Sequence, residues 1–444
     1  MEVKQFYDKA LAHGSYAIVS EGQVALVDPA RDPQPYLDFA HDHQAKIVAV
    51  FETHPHADFI SSHREFQEQY GATIYINGDV GVSYPHQPLN DGEEVKIGKV
   101  TMRALFTPGH SPDHNSYLLL DEEGQPHSVY TGDSLFVGDV GRPDLREGAG
   151  HFKAKRKELA HQMYHTIHKI FKKMDDSVMV YPAHGAGSLC GKNMGPETYS
   201  TIGKERHENW AFQISDEEQF VETLLADQPF VPQYFPYDVE MNREGAPAFE
   251  ESIQSVVRVS EKELPEEAII VDVRDQQLFK NGHIEGAFNI QEGEKFETWL
   301  GALITPEKPF YLVVEDEAQQ DRILRRTAKI GYEKQVQGSV IAQNQLEETS
   351  AKLDIEHFRQ HPEAYTIVDV RNASEAQGSL LFKNAVNIPL AELPERASEV
   401  DTDKPVVVHC AGGYRSAAGS SILEGALPET TVYDLGENVK SFQS

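Results

Sequence analysis

The sequence THPHADF, residues 53–59, places two histidines and a carboxylate within five residues. It follows KIVAVF, residues 46–51, a β-branched and apolar run without glycine or proline that predicts a buried strand. Layered α/β folds build their sites at strand ends, because a rigid sheet fixes the loops that leave it. The stretch therefore predicts a functional loop on an α/β scaffold.

Three further motifs with histidine or aspartate recur downstream, each after a plausible strand. They are TPGH at residues 107–110, TGDS at 131–134 and PAHG at 182–185. Together with the first loop they supply imidazoles and carboxylates, the usual ligands of zinc and non-haem iron. Any one of these motifs is weak evidence, but their combination predicts a metal site.

In this order the four motifs resemble the ligand signature of the metallo-β-lactamase fold, and within it that of the persulfide dioxygenases related to glyoxalase II. The resemblance implies an α/β protein with αββα layers. It also implies one Fe(II) per chain, held by His54, His110 and Asp133. Two histidines and one carboxylate leave open positions on the metal and suit Fe(II) oxygen chemistry.

Phe59 is the residue at which this sequence differs from the two-metal hydrolases of the same fold. Two-metal hydrolases of the fold carry a histidine at this position, so Phe59 removes an imidazole from the second metal site. His56, Asp58 and His184 are then expected to orient the metal ligands and to move protons rather than to bind the metal.

Three residues near these motifs have both a structural and a functional interpretation. Arg142, in GDVGRPD, either fixes its turn against a neighbouring aspartate or binds the carboxylate or phosphate of a thiol substrate. Tyr181 either ends a strand or points its phenol at the metal pocket. Cys190 is either a packed thiol or a relay for sulfane sulfur near the metal, with Lys192 lowering its pKa.

The C-terminal half contains an internal repeat. AIIVDVR, residues 268–274, is echoed by YTIVDVR, residues 365–371, and each copy continues with helical stretches and further buried strands. Alternating strands and helices predict two small parallel-sheet α/β domains. We therefore predict a first domain over residues 1–235, a linker over 236–250, and repeats over 251–345 and 346–444.

These repeats resemble rhodanese domains, and only the second has a cysteine loop, HCAGGYRS at residues 409–416. A glycine-rich turn between a strand and a helix, with Gly412 and Gly413, aims backbone N–H groups at the Cys410 sulfur. Arg415 and the helix N-terminus add positive potential. The resemblance implies that Cys410 carries sulfane sulfur. The first repeat has Glu315 at this point and is expected to be inactive.

Composition limits the partners and the compartment. The 444 residues have 71 Asp and Glu against 40 Lys and Arg, a formal charge of −31, which argues against nucleic acid and anionic membranes as partners. The sequence predicts no secretory signal, and no apolar run approaches the ~20 residues of a membrane span. With only 2 cysteines, a cytoplasmic protein in a reducing compartment is expected.

The resemblance as a whole implies a fused persulfide dioxygenase and sulfurtransferase of sulfide detoxification. Its substrates would be a low-molecular-weight thiol persulfide (glutathione, coenzyme A or bacillithiol type) and O2, and its products sulfite and thiosulfate. Relatives of this kind assemble as homo-oligomers, which we expect here. Two alternatives remain open. One is a zinc-dependent, glyoxalase II-like thiolester hydrolase with an attached sulfur carrier. The other is a non-enzymatic sulfur carrier or sensor with a structural metal.

Overall fold

The chain forms two compact units. The computed structural model describes residues 1–145, 155–254, 256–342, 346 and 348–442. The first unit comprises Met1–Ser252 together with Ala328–Gly331, and the second comprises Ile253–Thr327 and Tyr332–Ser444.

Two six-stranded sheets form the centre of the first unit, each with its strands in chain order. The first sheet contains β1 (Glu2–Asp8), β2 (His13–Ser20), β3 (Gln23–Val27), β4 (Lys46–Phe51), β5 (Thr73–Ile76) and β6 (Gln87–Pro88). The second contains β7 (Glu94–Ile97), β8 (Val100–Phe106), β9 (Asn115–Leu120), β10 (Pro126–Gly132), β11 (Met179–Pro182) and β12 (Ser200–Thr201).

Helices cover the outer faces of both sheets. They are α1 (Gln34–Asp42), α2 (His63–Tyr70), α3 (Arg156–His165), α4 (Ile202–Glu208), α5 (Trp210–Gln213), α6 (Glu217–Leu225), α7 (Phe235–Glu244) and α8 (Phe249–Gln254). Apolar residues of both sheets, such as Phe51 and Tyr117, pack together between them. Tyr36 and Phe39 of α1 pack on the outside of the first sheet, and Met163 of α3 on the second. The αββα prediction is confirmed.

The four sequence motifs follow β4, β8, β10 and β11. Because β10 and β11 run parallel, their motifs leave the second sheet at the same edge. Asp28, at the end of β3, accepts hydrogen bonds from the backbone N–H of Thr53 at 2.8 Å and from its hydroxyl at 2.9 Å. This carboxylate therefore fixes the start of the first ligand loop.

The segment 236–250 is not the predicted linker. It contains most of α7 and the start of α8, and both positions lie in the first unit up to Ser252. Its prolines suggested a break, but Pro236 lies in the first turn of α7, where the missing N–H has no helical partner to lose. The Asn242 side chain donates to the carbonyls of His56 and Phe59, at 2.9 and 2.8 Å. The segment thus supports the ligand loop.

The second unit contains two four-stranded parallel sheets of the same topology, with orders β14-β13-β15-β16 and β18-β17-β19-β20. The first repeat consists of β13 (Ile269–Asp272), α9 (Gln276–Asn281), β14 (Phe288–Asn289), α10 (Phe296–Leu303), β15 (Phe310–Val314), α11 (Glu317–Ala328) and β16 (Val336–Ile341). The second consists of α12 (Ile355–Gln360), β17 (Thr366–Asp369), α13 (Ala373–Gly378), β18 (Val386–Asn387), α14 (Leu393–Arg396), β19 (Val406–His409), α15 (Tyr414–Ala426) and β20 (Val432–Asp434). The predicted pair of small parallel-sheet domains is confirmed.

Of the helices that the structure describes, none combines the length and the apolar character needed to cross a lipid bilayer.

Candidate metal centre and cysteine loop

Three of the motifs bring His54, His110 and Asp133 to one point. Their ligand atoms are buried and all lie within 4.8 Å of one another. Asp133 Oδ2 is 3.9 Å from His54 Nε2 and 3.5 Å from His110 Nε2. The sequence predicted these three side chains as metal ligands, and the structure places them close enough to share one ion.

Asp133 Oδ2 tests whether a metal fits this group. It is buried and accepts no hydrogen bond from any described residue. A buried carboxylate oxygen without a partner is costly, and a cation at this point would satisfy it. Two imidazoles and one carboxylate suit Fe(II), and zinc accepts the same donors. The donor set therefore fits a divalent metal.

His184 holds the other oxygen of this carboxylate. Its Nδ1 lies 2.7 Å from Asp133 Oδ1 and its Nε2 lies 2.9 Å from Asp58 Oδ2. Burial opposes the charged imidazolium, but Asp133 and Asp58 outweigh it and raise the pKa of His184 well above its usual value. Burial likewise opposes ionisation of Asp133, yet His184 and His110 lower the pKa of that carboxyl group. The Asp58–His184–Asp133 chain thus fixes the metal-facing carboxylate.

His56 packs on His54, with ring centroids 4.3 Å apart, and contacts a second pair of carboxylates. Its Nε2 lies 3.1 Å from Asp28 Oδ1 and 4.0 Å from Glu52, and the three residues form a second buried group of possible metal donors. Burial first, and then Asp28, raises the pKa of Glu52 well above its usual value. Sequence reasoning missed Asp28 and Glu52 as part of the site, although both border the strands that carry the ligand loop.

His114 was also missed. Its ring stacks on His54 with centroids 4.9 Å apart, and its Nε2 accepts the backbone N–H of Asp133 at 3.1 Å. Its Nδ1 lies 2.9 Å from the Thr107 hydroxyl. His114 therefore positions two of the predicted ligands. Its place in the loop four residues after His110 was the available signal.

Phe59 lies among histidines and borders a cavity. Its ring centroid is 3.8 Å from that of His13 and 4.3 Å from that of His56. Phe59 and His13 help to line a cavity of about 350 Å³, together with Phe6, Arg31 and other residues of the first unit. The aromatic ring therefore stands between the histidine cluster and a space large enough for part of a small thiol.

Cys190 belongs to a third buried group, with Asp58 and His184. Burial, Asp58 and Asp133 raise the pKa of its thiol well above the usual value. The predicted effect of Lys192 is wrong: its ammonium donates to the carbonyls of Thr223 and Ala226, at 2.7 and 2.6 Å. Cys190 does lie beside the metal ligands, as the relay interpretation requires, but it has no cationic neighbour in Lys192.

Arg142 is buried and bidentate with Asp144, with both contacts at 2.7 Å, and it also donates to the Leu189 carbonyl. Its backbone N–H donates to the Cys190 carbonyl at 2.9 Å. A side chain at the preceding Gly141 would stand 2.0 Å from the Asp133 carbonyl oxygen. Gly141 and Arg142 thus hold the Asp133 and Cys190 loops together. This is the structural one of the two interpretations of Arg142.

Tyr181 packs with other tyrosines. Its ring stacks on Tyr130 at 5.6 Å with an interplanar angle of 20°, and lies 5.1 Å from Tyr16. These contacts are those of a side chain between the sheets, and the structure does not bring Tyr181 into the histidine group.

In the cysteine loop of the second repeat, one of the expected backbone N–H groups points at the sulfur. Cys410 is buried, and the backbone N–H of Gly413 donates to its Sγ at 3.1 Å. Gly413 has φ +106°, a conformation that favours glycine, whereas a side chain at Gly412 would meet nothing within 4 Å. Arg415 is bidentate with Glu375 at 2.6 and 2.8 Å, so its charge is shared with a carboxylate.

The fold agrees with known families. Residues 9–184 match the metallo-beta-lactamase superfamily, and residues 258–337 and 354–443 each match the rhodanese-like domain. A crystal structure described as a metallo-beta-lactamase from Staphylococcus aureus is 31% identical, with a TM-score of 0.69 over 77% of this chain and 98% of that one. The chain belongs to the metallo-beta-lactamase superfamily, with two rhodanese-like domains following the first domain.

Two curated relatives each match less than half of this chain. The cytoplasmic hydroxyacylglutathione hydrolase of Arabidopsis thaliana is 30% identical over 38% of this chain and 62% of its own length. The probable polyketide biosynthesis zinc-dependent hydrolase BaeB of Bacillus velezensis is 28% identical over 46% of this chain and 81% of its own length. Both are described as hydrolases, so superfamily membership leaves the reaction of this chain open.

Proposed function

We propose that this protein oxidises low-molecular-weight thiol persulfides to sulfite in its metallo-beta-lactamase domain and transfers sulfane sulfur through Cys410 in its last rhodanese-like domain. The observation that carries the proposal is the combination in one chain of a two-histidine, one-carboxylate group beside Phe59 with a cysteine cradled by a backbone N–H. The first group suits oxygen chemistry and the second suits an anionic sulfur.

Fe(II) held by His54, His110 and Asp133 would supply redox reactivity toward O2, which zinc lacks. The protein residues around this group have separate tasks. His184 and Asp58 hold Asp133 in place, and His114 orients the Asp133 backbone and packs on His54. We assign the carrier thiol to the cavity beside Phe59 and His13, and the sulfur end of the substrate to the side facing the histidines.

The two proposed reactions balance. A persulfide RSSH with O2 and water gives RSH, hydrogen sulfite and a proton, and the terminal sulfur loses four electrons to O2. A second RSSH passes its terminal sulfur to the Cys410 thiolate and leaves as RSH. Sulfite then attacks the terminal sulfur of the Cys410 persulfide, the S–S bond breaks, and thiosulfate leaves with the Cys410 thiolate restored. Fusion raises the local concentration of sulfite near the acceptor.

A zinc-dependent thiolester hydrolase is the second candidate. The hydrolase names of both relatives favour it, and so does the group formed by Asp58, His184 and Cys190, which offers donors for a second metal where Phe59 removes one. Such an enzyme would hold two metals per chain and would consume no oxygen.

Oxygen uptake by iron-loaded protein given glutathione persulfide tests the proposal, with iron and zinc per chain, sulfite and thiosulfate quantified together. His110→Ala should abolish uptake, because the group loses one of three donors. Cys410→Ser should keep uptake and shift the product from thiosulfate to sulfite. Two zinc ions per chain with thiolester hydrolysis and no uptake would establish the alternative.

A further inference from the structure

The inactive repeat contacts the active one at the first residue of the helix that follows the cysteine loop. Tyr414 begins α15, and its hydroxyl donates to the Gln291 carbonyl of the first repeat at 2.8 Å. Its ring lies against Gly293, where an added Cβ would stand 2.7 Å from Tyr414 Cε2. Gln291 and Gly293 thus form a socket that accepts the ring only because residue 293 lacks a side chain.

A buried ion pair stiffens this socket. Arg326 of α11 is bidentate with Glu297 of α10, at 2.8 and 2.6 Å, and it also donates to the Gly293 carbonyl at 2.6 Å. Glu297 is fully buried. Because a buried charged pair holds its geometry and binds the backbone of Gly293 directly, the socket cannot shift without breaking these contacts.

A second contact fixes the same face of α15. The Ser421 hydroxyl accepts the backbone N–H of Asn289, from the first repeat, at 2.9 Å. Ser421 lies seven residues after Tyr414, which is two helical turns and therefore the same side of the helix. The helix is held at two points along its length by a domain without a cysteine.

The socket is one residue away from the sulfur cradle. Tyr414 directly follows Gly413, whose N–H donates to Cys410 Sγ, and Gly413 passes so close to the chain that its Cβ would stand 3.0 Å from the Glu437 nitrogen. Donors aimed at an anion stabilise it most when they cannot reorient. A fixed Tyr414 therefore limits how far the Gly413 N–H can turn away from the sulfur.

We propose that the inactive rhodanese-like repeat positions the Cys410 loop through the Tyr414 socket, with Tyr414 as a positioning residue for sulfur transfer. The proposal rests on the proposed function, since it assumes that Cys410 transfers sulfur. It gives the repeat that has Val314 at the position of the cysteine a role in the chemistry of its neighbour.

Sulfur transfer from thiosulfate to cyanide by the full-length chain tests this role. In that assay the outer sulfur of thiosulfate bonds to the Cys410 thiolate, sulfite leaves with the bonding electron pair, and cyanide removes the sulfur as thiocyanate. Tyr414→Ala should lower kcat about tenfold, while Tyr414→Phe, which keeps the ring, should lower it less than threefold. The pH profile of Cys410 alkylation, followed by mass spectrometry of its peptide, should move to higher pH in Tyr414→Ala.

Two further variants separate positioning from simple stability. Tyr365→Ala removes a tyrosine of the same repeat that contacts His357 and Tyr433, away from the socket, and should leave the alkylation profile unchanged even if it lowers the melting temperature. Gly293→Ala crowds the socket and should reproduce the Tyr414→Ala profile, and the double variant should be no worse than either single one.

The outcomes are distinct. If the wild-type chain transfers no sulfur, the proposed function fails at its second site. If the wild-type chain is active and Tyr414→Ala and Gly293→Ala keep its kcat and alkylation profile, the socket is only packing and this inference is wrong.

Discussion

The two rhodanese-like repeats share their frame and differ in their loop. Asp272 pairs with Arg274 in the first repeat, and Asp369 with Arg371 in the second. Each pair has three side-chain hydrogen bonds of 2.5–3.1 Å between the same donor and acceptor atoms. Each arginine also donates to a backbone carbonyl at 2.8 Å. After the third strand, however, the strand register places the buried Val314 of the first repeat at the position of Cys410, and the exposed Glu315 follows it.

This difference shows that the frame and the chemistry are set by separate residues. In the first repeat, the N–H of Glu315 donates to the Gln319 side chain at 2.8 Å. In the second, the N–H of Gly413 donates to the Cys410 sulfur at 3.1 Å. Both repeats keep the buried aspartate–arginine pair at the strand end, and both keep the fold. The loop after the third strand can therefore lack the cysteine sulfur and the glycines without loss of the fold.

The largest expected effect removes the chemistry from one repeat. Cys410→Ser should lower thiosulfate-to-cyanide transfer by about 10³-fold or more, because the nucleophile is lost. The change Glu315→Ala, in the corresponding loop of the first repeat, should leave transfer within about twofold of wild type. A clear fall in transfer with Glu315→Ala would mean that the first repeat takes part directly and that the comparison is wrong.

A smaller effect is expected to distinguish the two glycines of the cysteine loop, Gly413 and Gly412, in stability. Gly413→Ala forces a side chain into a left-handed conformation with a backbone atom at 3.0 Å, so it should lower the free energy of unfolding of the second unit by about 1–3 kcal/mol. It should lower sulfur transfer as well. Gly412→Ala meets nothing within 4 Å and should change stability by less than about 0.5 kcal/mol. Urea unfolding of the full chain measures both, and equal losses would contradict the assigned backbone roles.

The smallest effect concerns how the two strand-end aspartates respond to acid. Burial raises the pKa of Asp272 despite Arg274, whereas at Asp369 burial is outweighed by Arg371 and the pKa is lowered. A carboxyl group whose pKa is lower in the folded state stabilises the fold above its unfolded-state pKa, and this stabilisation is lost as the pH falls through its folded-state pKa. For a carboxyl group whose pKa is raised in the folded state, the free energy of unfolding changes with pH in the opposite direction. Acidification toward about pH 4 should therefore weaken the contribution of Asp369 and strengthen that of Asp272.

Substituting each aspartate by asparagine measures how its contribution to stability depends on pH. The difference in free energy of unfolding between wild type and Asp369→Asn should shrink on acidification, and that between wild type and Asp272→Asn should change in the opposite direction. Thermal unfolding at several pH values provides the measurement. Parallel slopes for the two variants would show that burial and pairing are balanced alike in both repeats.

Much of the fold was predictable because local patterns reported it. Apolar strands such as residues 46–51, and the repeated VDVR strand, are periodic signals that survive without tertiary information. Segment 236–250 failed because its prolines suit the first turn of a helix as well as a linker, and only packing against the ligand loop distinguishes the two.

The site was predictable only in part for the same reason. His54, His110 and Asp133 stand in motifs, whereas Asp28, Glu52 and His114 lie outside the motifs, and their contacts with Thr53, His56 and Asp133 form only in the folded chain. Lys192 was predicted to act on Cys190 because the two residues are close in sequence. Its ammonium group points elsewhere, because two residues of separation along the chain do not determine the direction of a side chain.

The amino-acid sequence by itself determined the order of domains, the histidine and aspartate motifs and which repeat has a cysteine, since these depend on residue identity and local periodicity. Only the tertiary structure decided which carboxylate holds which imidazole, that Cys190 lies with Asp58 and His184, and that Tyr414 contacts the repeat without a cysteine. The physical reason is that charge pairing, burial and close approach act between atoms that are neighbours in space, and the folded chain alone makes them so.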